Sequence, residues 1–283
     1  MYIYVNGDFV LQEEAKISPF DHGFLYGLGV FETFRIYGGH PFLLDDHFQR
    51  LEQSVEQLNI ILNITKQQLK EILDELLTLN KLKDAYVRFN VSAGEAPVGL
   101  QTNAYTEPTI IIFMKPMNGP IVRTKKASVL TTRRNTPEGA ERLKSHHYLN
   151  NIIGKRELTS ADHEGIFLTS DGYVAEGIVS NIFWVKDGQV YTPSVTTGIL
   201  NGITRQFVIA LLEKHKIPCH EDWYWVASLF EADEVFITNS IQEVVAISMI
   251  NEHSYEQENK VTTYLQTIYR EYMNIQLSSI QSL

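Results

Sequence analysis

The chain opens on alternating apolar and polar residues, YIYVNGDFV, with Asn6-Gly7 at the position of a tight turn, a pattern that predicts a strand hairpin. A stretch rich in glycine and aromatics, SPFDHGFLYGLGVFETFRIYGGHPFLL, leads to a second hairpin turning at Gly38-Gly39. Over 45–59, Phe48, Leu51, Val55 and Leu58 recur at helical spacing, with His47, Arg50 and Ser54 flanking that face. Thr65 and Gln68 form a capping box that opens a second helix over 66–79. Ala85, Val87, Phe89 and Val91 then alternate with Tyr86, Arg88, Asn90 and Ser92, so this strand has one apolar face and aims Arg88 away from it. TIIIF predicts a buried strand, and MKPMNGP, residues 114–120, with two prolines and a glycine, predicts a linker.

Beyond it, GIFLTSDGYVAEG and NIFWVKDGQVYTP each predict a hairpin turning at Asp-Gly. A helix follows near NGITRQFVIALLEKH, strands at DEVFITNS and VVAISMI, and a last helix over about 257–275. Strands with helices packed against them in each half predict an α+β protein of two domains: 1–113 N-terminal, 114–120 linker, 121–283 C-terminal. Residues 133–157, RRNTPEGAERLKSHHYLNNIIGKRE, fit neither period, being too polar for a core strand and too irregular for an amphipathic helix.

With 283 residues, 44% hydrophobic and 20% charged, the composition is that of a soluble globular protein. The first residues lack a basic segment and an apolar run, which predicts a cytoplasmic protein. The lone Cys219 cannot form an internal disulfide and fits a reducing compartment. A net charge of −10 argues against nucleic acid and acidic membranes as partners. Locally the balance inverts, because Arg133, Arg134, Arg142 and Lys144 fall within twelve residues, while Arg35, Arg50 and Arg88 stand in sparse surroundings. Such cations serve a small anionic ligand, or else pair with Glu138 and Glu141 at the surface.

Adjacent His146 and His147 point to opposite sides of an extended segment and have no third ligand at metal spacing, so no metal is expected. No G-x-S-x-G elbow anchors a serine hydrolase. An uncharged lysine amine, in contrast, attacks carbonyls and can hold an aldehyde cofactor, which makes Lys144 a candidate nucleophile. Pyridoxal phosphate needs a phosphate cup and an acidic partner for its ring nitrogen. NGITR offers the amides of Ile203 and Thr204 and a hydroxyl at a helix start, TNS offers Asn239 and Ser240 at a strand end, Arg50 could clamp a phosphate, and Glu176 could face the ring nitrogen. Each also has an ordinary explanation, a helix cap or a solvated carboxylate, so a pyridoxal enzyme and a non-catalytic small-anion binding protein both stand at this point.

The succession FDHGFLYGLGVFETFR, HFQRL, LKSHHYLNN, AEGIVSNIFW, GILNGITR and ITNSIQEV resembles the fold type IV pyridoxal phosphate enzymes over nearly the whole chain. The resemblance implies an N-terminal α/β sandwich-like domain, a C-terminal β-rich pseudo-barrel domain with helices, pyridoxal 5'-phosphate as cofactor, and a homodimer. By the same resemblance Lys144 matches the Schiff-base lysine, Glu176 the partner of the ring nitrogen, Arg50 the phosphate arginine, and Ile203, Thr204 and Ser240 the phosphate cup, with Asn239 beside it. RRNTPEGAERLKSHHYLNN looks like the corresponding segment of aminodeoxychorismate lyases, which implies elimination from 4-amino-4-deoxychorismate to 4-aminobenzoate and pyruvate on the way to folate. Arg88, Arg134 and Arg35 are the implied carboxylate-binding candidates, with Phe31 on the substrate side. Phe31 stands where D-amino-acid transaminases carry a tyrosine, and Ala93 lies near where they carry an arginine, which weakens that relation. Tyr86-Val87-Arg88 resembles a branched-chain aminotransferase motif and makes that activity the alternative.

Overall fold

The computed structural model describes residues 1–117, 122–160, 162–255 and 259–283. The chain divides into two compact units, one of Met1–Gly119, Leu143–His147 and Gln276–Ser282, the other of Pro120–Arg142, Tyr148–Ile275 and Leu283.

The first unit runs β1 (Tyr2–Val5), β2 (Asp8–Leu11), α1 (His22–Tyr26), β3 (Gly29–Tyr37), β4 (His40–Pro41), α2 (Leu44–Gln57), α3 (Lys66–Asn80), β5 (Ala85–Ser92) and β6 (Thr109–Pro116). Its sheet has the order β2-β1-β6-β5-β3-β4, with every neighbouring pair antiparallel. Asn6 and Gly7 both have positive φ, 48° and 110°, as the two-residue hairpin turn demands. Val30, Phe34 and Ile36 of β3 and Val87, Phe89 and Val91 of β5 share one core with Leu51 and Val55 of α2 and Leu69, Leu73 and Leu76 of α3. Burying each such side chain contributes about 1.5–3 kcal/mol. Alternation leaves Phe31, Thr33 and Arg35 opposite Asn90, Arg88 and Tyr86 on the other face.

The expected capping box is present: Gln68 N–H donates to Thr65 Oγ1 at 3.2 Å, and Thr65 N–H donates to Gln68 Oε1 at 2.8 Å. Two features depart from the sequence pattern. Met114–Pro116, expected in a linker, extend β6, because Met114 pairs opposite Val87 and fills a core position, with proline admitted at the strand's last residue. Residues 118–120 of that segment lie outside the described residues. Helix α1 was not legible, since five residues are too few to show a period, and its signal is the Asp21 cap on Gly23 N–H.

The second unit runs β7 (Thr124–Val129), α4 (Leu149–Arg156), β8 (Glu164–Leu168), β9 (Val174–Gly177), β10 (Asn181–Lys186), β11 (Gln189–Pro193), α5 (Ile203–Lys214), β12 (Cys219–Asp222), α6 (Ala227–Phe230), β13 (Glu234–Asn239), β14 (Glu243–Ile250), β15 (His253–Ser254) and α7 (Lys260–Asn274). Its sheet has the order β12-β11-β10-β13-β14-β7-β8-β9, with β15 on β14. Both Asp-Gly segments connect antiparallel pairs, β8 with β9 and β10 with β11. Part of the segment judged too irregular for a helix is α4. Its buried residues are Asn151 and Gly154 rather than a stripe of large apolar side chains, which hides its period, and Gly154 sits where a Cβ would lie 2.6 Å from the Phe167 ring. Among the described residues no helix is long and apolar enough to cross a membrane.

The cap on α3 gives a stability test. Thr65→Ala removes a hydroxyl acceptor from an exposed helix start and is expected to cost about 1 kcal/mol in urea unfolding, with Gln68→Ala costing no more. Unchanged stability in Thr65→Ala would show that the box contributes nothing.

Candidate active site

In the first unit the segment around Lys144 is held as an extra strand against the start of β3. Phe31 N–H donates to Lys144 O and His146 N–H donates to Gly29 O, both at 2.9 Å, with Val30 bridged to Ser145. This carries Lys144 Nζ to 4.7 Å from the centroid of the buried Phe31 ring, over which the Arg88 guanidinium lies at 3.7 Å. Arg88 is oriented by Asn90, whose Oδ1 accepts from its Nε at 3.0 Å.

One residue along, β3 turns Glu32 to the apolar face, where it is 1% exposed. Arg50 Nε donates to its Oε1 and Arg50 Nη2 to its Oε2, each at 2.7 Å, and His47 Nδ1 donates to Oε2 at 2.7 Å. Burial disfavours the Glu32 charge, but Arg50 and then His47 outweigh it and bring the carboxyl pKa down to about 2. Burial also lowers the His47 pKa, against the opposing pull of Glu32, and Arg50 and Lys144 add to the lowering. His47 is therefore a neutral donor through Nδ1–H to an ionised carboxylate.

In the second unit, β9 carries Glu176, which is 4% exposed. Arg134 Nε donates to its Oε1 at 2.8 Å, Leu200 N–H donates to its Oε2 at 3.0 Å, and Arg142 Nε lies 3.7 Å from Oε1. Arg134 also donates through Nη1 to the side-chain oxygens of Asn150 and Asn151, at 2.8 and 3.2 Å. Elsewhere in this unit the Thr204 and Ser240 hydroxyls meet at 3.1 Å beside the start of α5. The N-cap there is Gly202, with no side-chain acceptor on the first amides, and a Cβ on it would fall 2.2 Å from Asn181 Oδ1. Thr238 Oγ1, two residues before Ser240, is buried with no hydrogen-bond partner. Asn239 Oδ1 accepts from Ile241 and Gln242 N–H at 2.9 and 2.7 Å, so this residue shapes the turn between β13 and β14.

Residues 29–250 match the family described as amino-transferase class IV. The chain belongs to that family. It is similar to aminodeoxychorismate lyase of Bacillus subtilis (strain 168), 48% identical over 275 residues, which covers 95% of this chain and 93% of the relative. Among solved structures, a branched-chain aminotransferase from Thermoproteus uzoniensis with norvaline has TM-score 0.88 at 29% identity, covering 96% of this chain and 94% of that one. The T.th. branched-chain amino acid aminotransferase with pyridoxamine 5'-phosphate has TM-score 0.84 at 28% identity, with 95% and 93% covered. The α+β architecture is the fold type IV arrangement expected from the sequence.

Within this class IV chain the structure places the expected residues unevenly. Lys144, Phe31 and Arg88 come together, as do Thr204 and Ser240. Arg35 lies over the Tyr37 ring at 4.5 Å and is 7% exposed. Arg134, expected to bind a substrate carboxylate, instead gives its Nε and Nη1 to Glu176, Asn150 and Asn151, because a buried carboxylate requires donors and this side chain supplies them. Sequence reasoning missed Glu32 as the clamp on Arg50. The signal was there, a charged residue at an inward position of VFETFR, between Val30 and Phe34.

The Glu32 clamp has a pH signature. Its folded pKa lies below the ordinary value of 4.5, so its contribution is complete above that pH and is lost as pH falls toward about 2. Glu32→Gln leaves Arg50 without its charged partner and is expected to cost about 3–5 kcal/mol at neutral pH. In urea unfolding at a series of pH values, that deficit should narrow once pH falls below 4.5. A deficit that is constant with pH would mean that the Glu32 charge is not what matters.

Proposed function

We propose that the chain is a pyridoxal 5'-phosphate-dependent carbon–oxygen lyase that converts 4-amino-4-deoxychorismate to 4-aminobenzoate and pyruvate. The observation that carries this is the 48% identity to Bacillus subtilis aminodeoxychorismate lyase along 95% of the chain. The residues present suit the cofactor. Uncapped amides at the start of α5, the Thr204 and Ser240 hydroxyls and the unpartnered Thr238 hydroxyl form a donor set of the kind that holds a phosphate.

In this proposal Ile203, Thr204 and Ser240 bind the phosphate, with Asn239 holding the adjoining turn in shape and Arg50, fixed by Glu32, adding a cation. Glu176 faces the ring nitrogen. Arg134 supports Glu176 rather than the substrate. Lys144 attaches the cofactor and, once the substrate amine has displaced it, takes the proton from the amine-bearing carbon at Nζ. When bound, the cofactor supplies a sink for the electron pair that this proton leaves behind. Loss of the enolpyruvyl group makes the substrate ring aromatic, which drives the carbon–oxygen cleavage. Arg88 and Arg35 meet the substrate carboxylates, and Phe31 packs on the substrate side.

We further take the protein to be a cytoplasmic homodimer of two-domain chains. The first unit exposes Phe20, Phe24, Val98 and Leu100, and two hydrogen bonds, Gly99 N–H to Tyr26 Oη at 2.8 Å and Ala96 N–H to Phe20 O at 3.3 Å, tie these loops into one apolar patch. A second copy would cover such a surface. The proposed domains are 1–113 and 121–283, with a joining segment 114–120 whose first residues continue β6, and Leu143–His147 and Gln276–Ser282 are stretches of the second that belong to the first compact unit.

A product assay tests the activity. Given 4-amino-4-deoxychorismate and no 2-oxo acid, the holoenzyme is expected to turn over repeatedly, to release 4-aminobenzoate and pyruvate in equal amounts, and to keep its visible absorption. Leucine-dependent bleaching restored by 2-oxoglutarate, with no aromatic product, would make the chain a branched-chain aminotransferase and give Tyr86-Val87-Arg88 the deciding weight. A colourless protein whose spectrum ignores added pyridoxal phosphate would leave only anion binding. Borohydride should fix the cofactor on Lys144 alone. Arg50→Ala should weaken cofactor affinity about tenfold to a hundredfold.

A further inference from the structure

His146 lies two residues beyond Lys144, and the two flank the bridge between Ser145 and Val30. Both pack on Phe31: Lys144 Nζ is 4.7 Å from the ring centroid, and the imidazole is stacked on the ring at 6.2 Å with an interplanar angle of 24°. The imidazole is seated against backbone, because a Cβ at Gly29 would lie 2.6 Å from its Cε1 and Nδ1 atoms. The Val30 backbone hydrogen-bonds the ring and favours its protonated form, the sign expected of a carbonyl acceptor. Its Nε2 is buried and has no hydrogen-bond partner. Nδ1 therefore carries the proton and faces Val30, which leaves a lone pair on Nε2. Around the ring stand Arg88, Asp21 and His147; burial first, then Arg88, with His147 adding to it, outweigh Asp21 and hold the His146 pKa at about 4. The imidazole is neutral at physiological pH.

We propose that His146 is a positioning residue whose Nε2 lone pair accepts a hydrogen bond from Lys144 Nζ after that amine has taken up the substrate proton. This rests on Lys144 acting as the base. The proton passes from the substrate carbon to Nζ, the electron pair of the broken bond is left to the sink described above, and the Nζ–H so formed donates to Nε2. No second transfer follows, because an imidazole with a pKa near 4 is too weak a base to take a proton from an alkylammonium. The arrangement steadies an ammonium beside the Arg88 guanidinium, where a protonated imidazole would repel it.

Nitrogen NMR of the apoprotein with labelled histidine tests the acceptor directly: Nε2 should stay unprotonated and Nδ1 protonated from about pH 6 to 8. A ring that titrates in that range, or that carries its proton on Nε2, overturns the proposal. In the holoenzyme, His146→Phe should lower kcat about tenfold, the loss expected for one hydrogen bond to a charged group. It should also raise the primary deuterium isotope effect at the amine-bearing carbon while KM and the bound-cofactor spectrum hold, and His146→Gln, which keeps an acceptor, should recover part of the rate. If His146→Phe matches the parent in kcat and isotope effect while Lys144→Arg is inactive, this inference fails and the lysine base stands. Turnover retained in Lys144→Arg would sink the lysine base, and this inference with it.

Discussion

A carboxylate placed on the inward face of a sheet must find its counter-charge inside the protein, and the arrangement around β3 follows from that constraint. Glu32 occupies such a position, and α2 answers it with His47 and Arg50, three residues apart on one helix face. The register of α2 is thereby fixed as much by this ion pair as by its apolar stripe. The start of α2 has no side-chain cap, its N-cap Leu43 having positive φ, and the C-terminal segment supplies acceptors instead. Leu43 N–H donates to Leu277 O and Asp45 N–H to Ser278 O, both at 3.0 Å. The end of the chain thus secures the helix that holds the cation for Glu32.

Strand alternation makes adjacent residues serve different ends. Phe31 turns to the face with Arg88 and Lys144, and Glu32 turns to the core, so one pleat of β3 contributes both to the candidate site and to the electrostatics of the interior. A change in how β3 pairs with β5 by one residue would exchange those faces and bury Phe31 and Arg35 where Glu32 now meets its partners. The buried charge therefore acts against the slipped register as well as orienting Arg50.

Periodic elements were legible because their period comes from burial on one side. The capping box of α3, the alternation of β5 and the Asn-Gly hairpin all appear where the pattern sets them. Helix α4 was not legible, because it buries Asn151 and a glycine, and composition without a large apolar stripe carries no helical signal. Lys144 and Glu176 could be picked out as residue types suited to the proposed chemistry, but the partners that orient each of them could not. Which arginine serves Glu176 depends on contacts between residues 42 positions apart in sequence, and nothing local distinguishes Arg134 from its neighbour Arg133.

The bonds that Arg134 makes also bear on the role proposed for Glu176. A carboxylate has two oxygens and about four lone-pair directions. Arg134 takes one position on Oε1 and the Leu200 amide one on Oε2, which holds the group in a single orientation and leaves acceptor capacity on each oxygen. A carboxylate that had to be reoriented by its ligand would lose part of the interaction to ordering, whereas one already fixed by a guanidinium and a backbone amide does not. In the proposed reaction, the arginine that the sequence offered to a substrate carboxylate would serve the same chemistry one step removed, by fixing the acid on which a protonated ring nitrogen would depend.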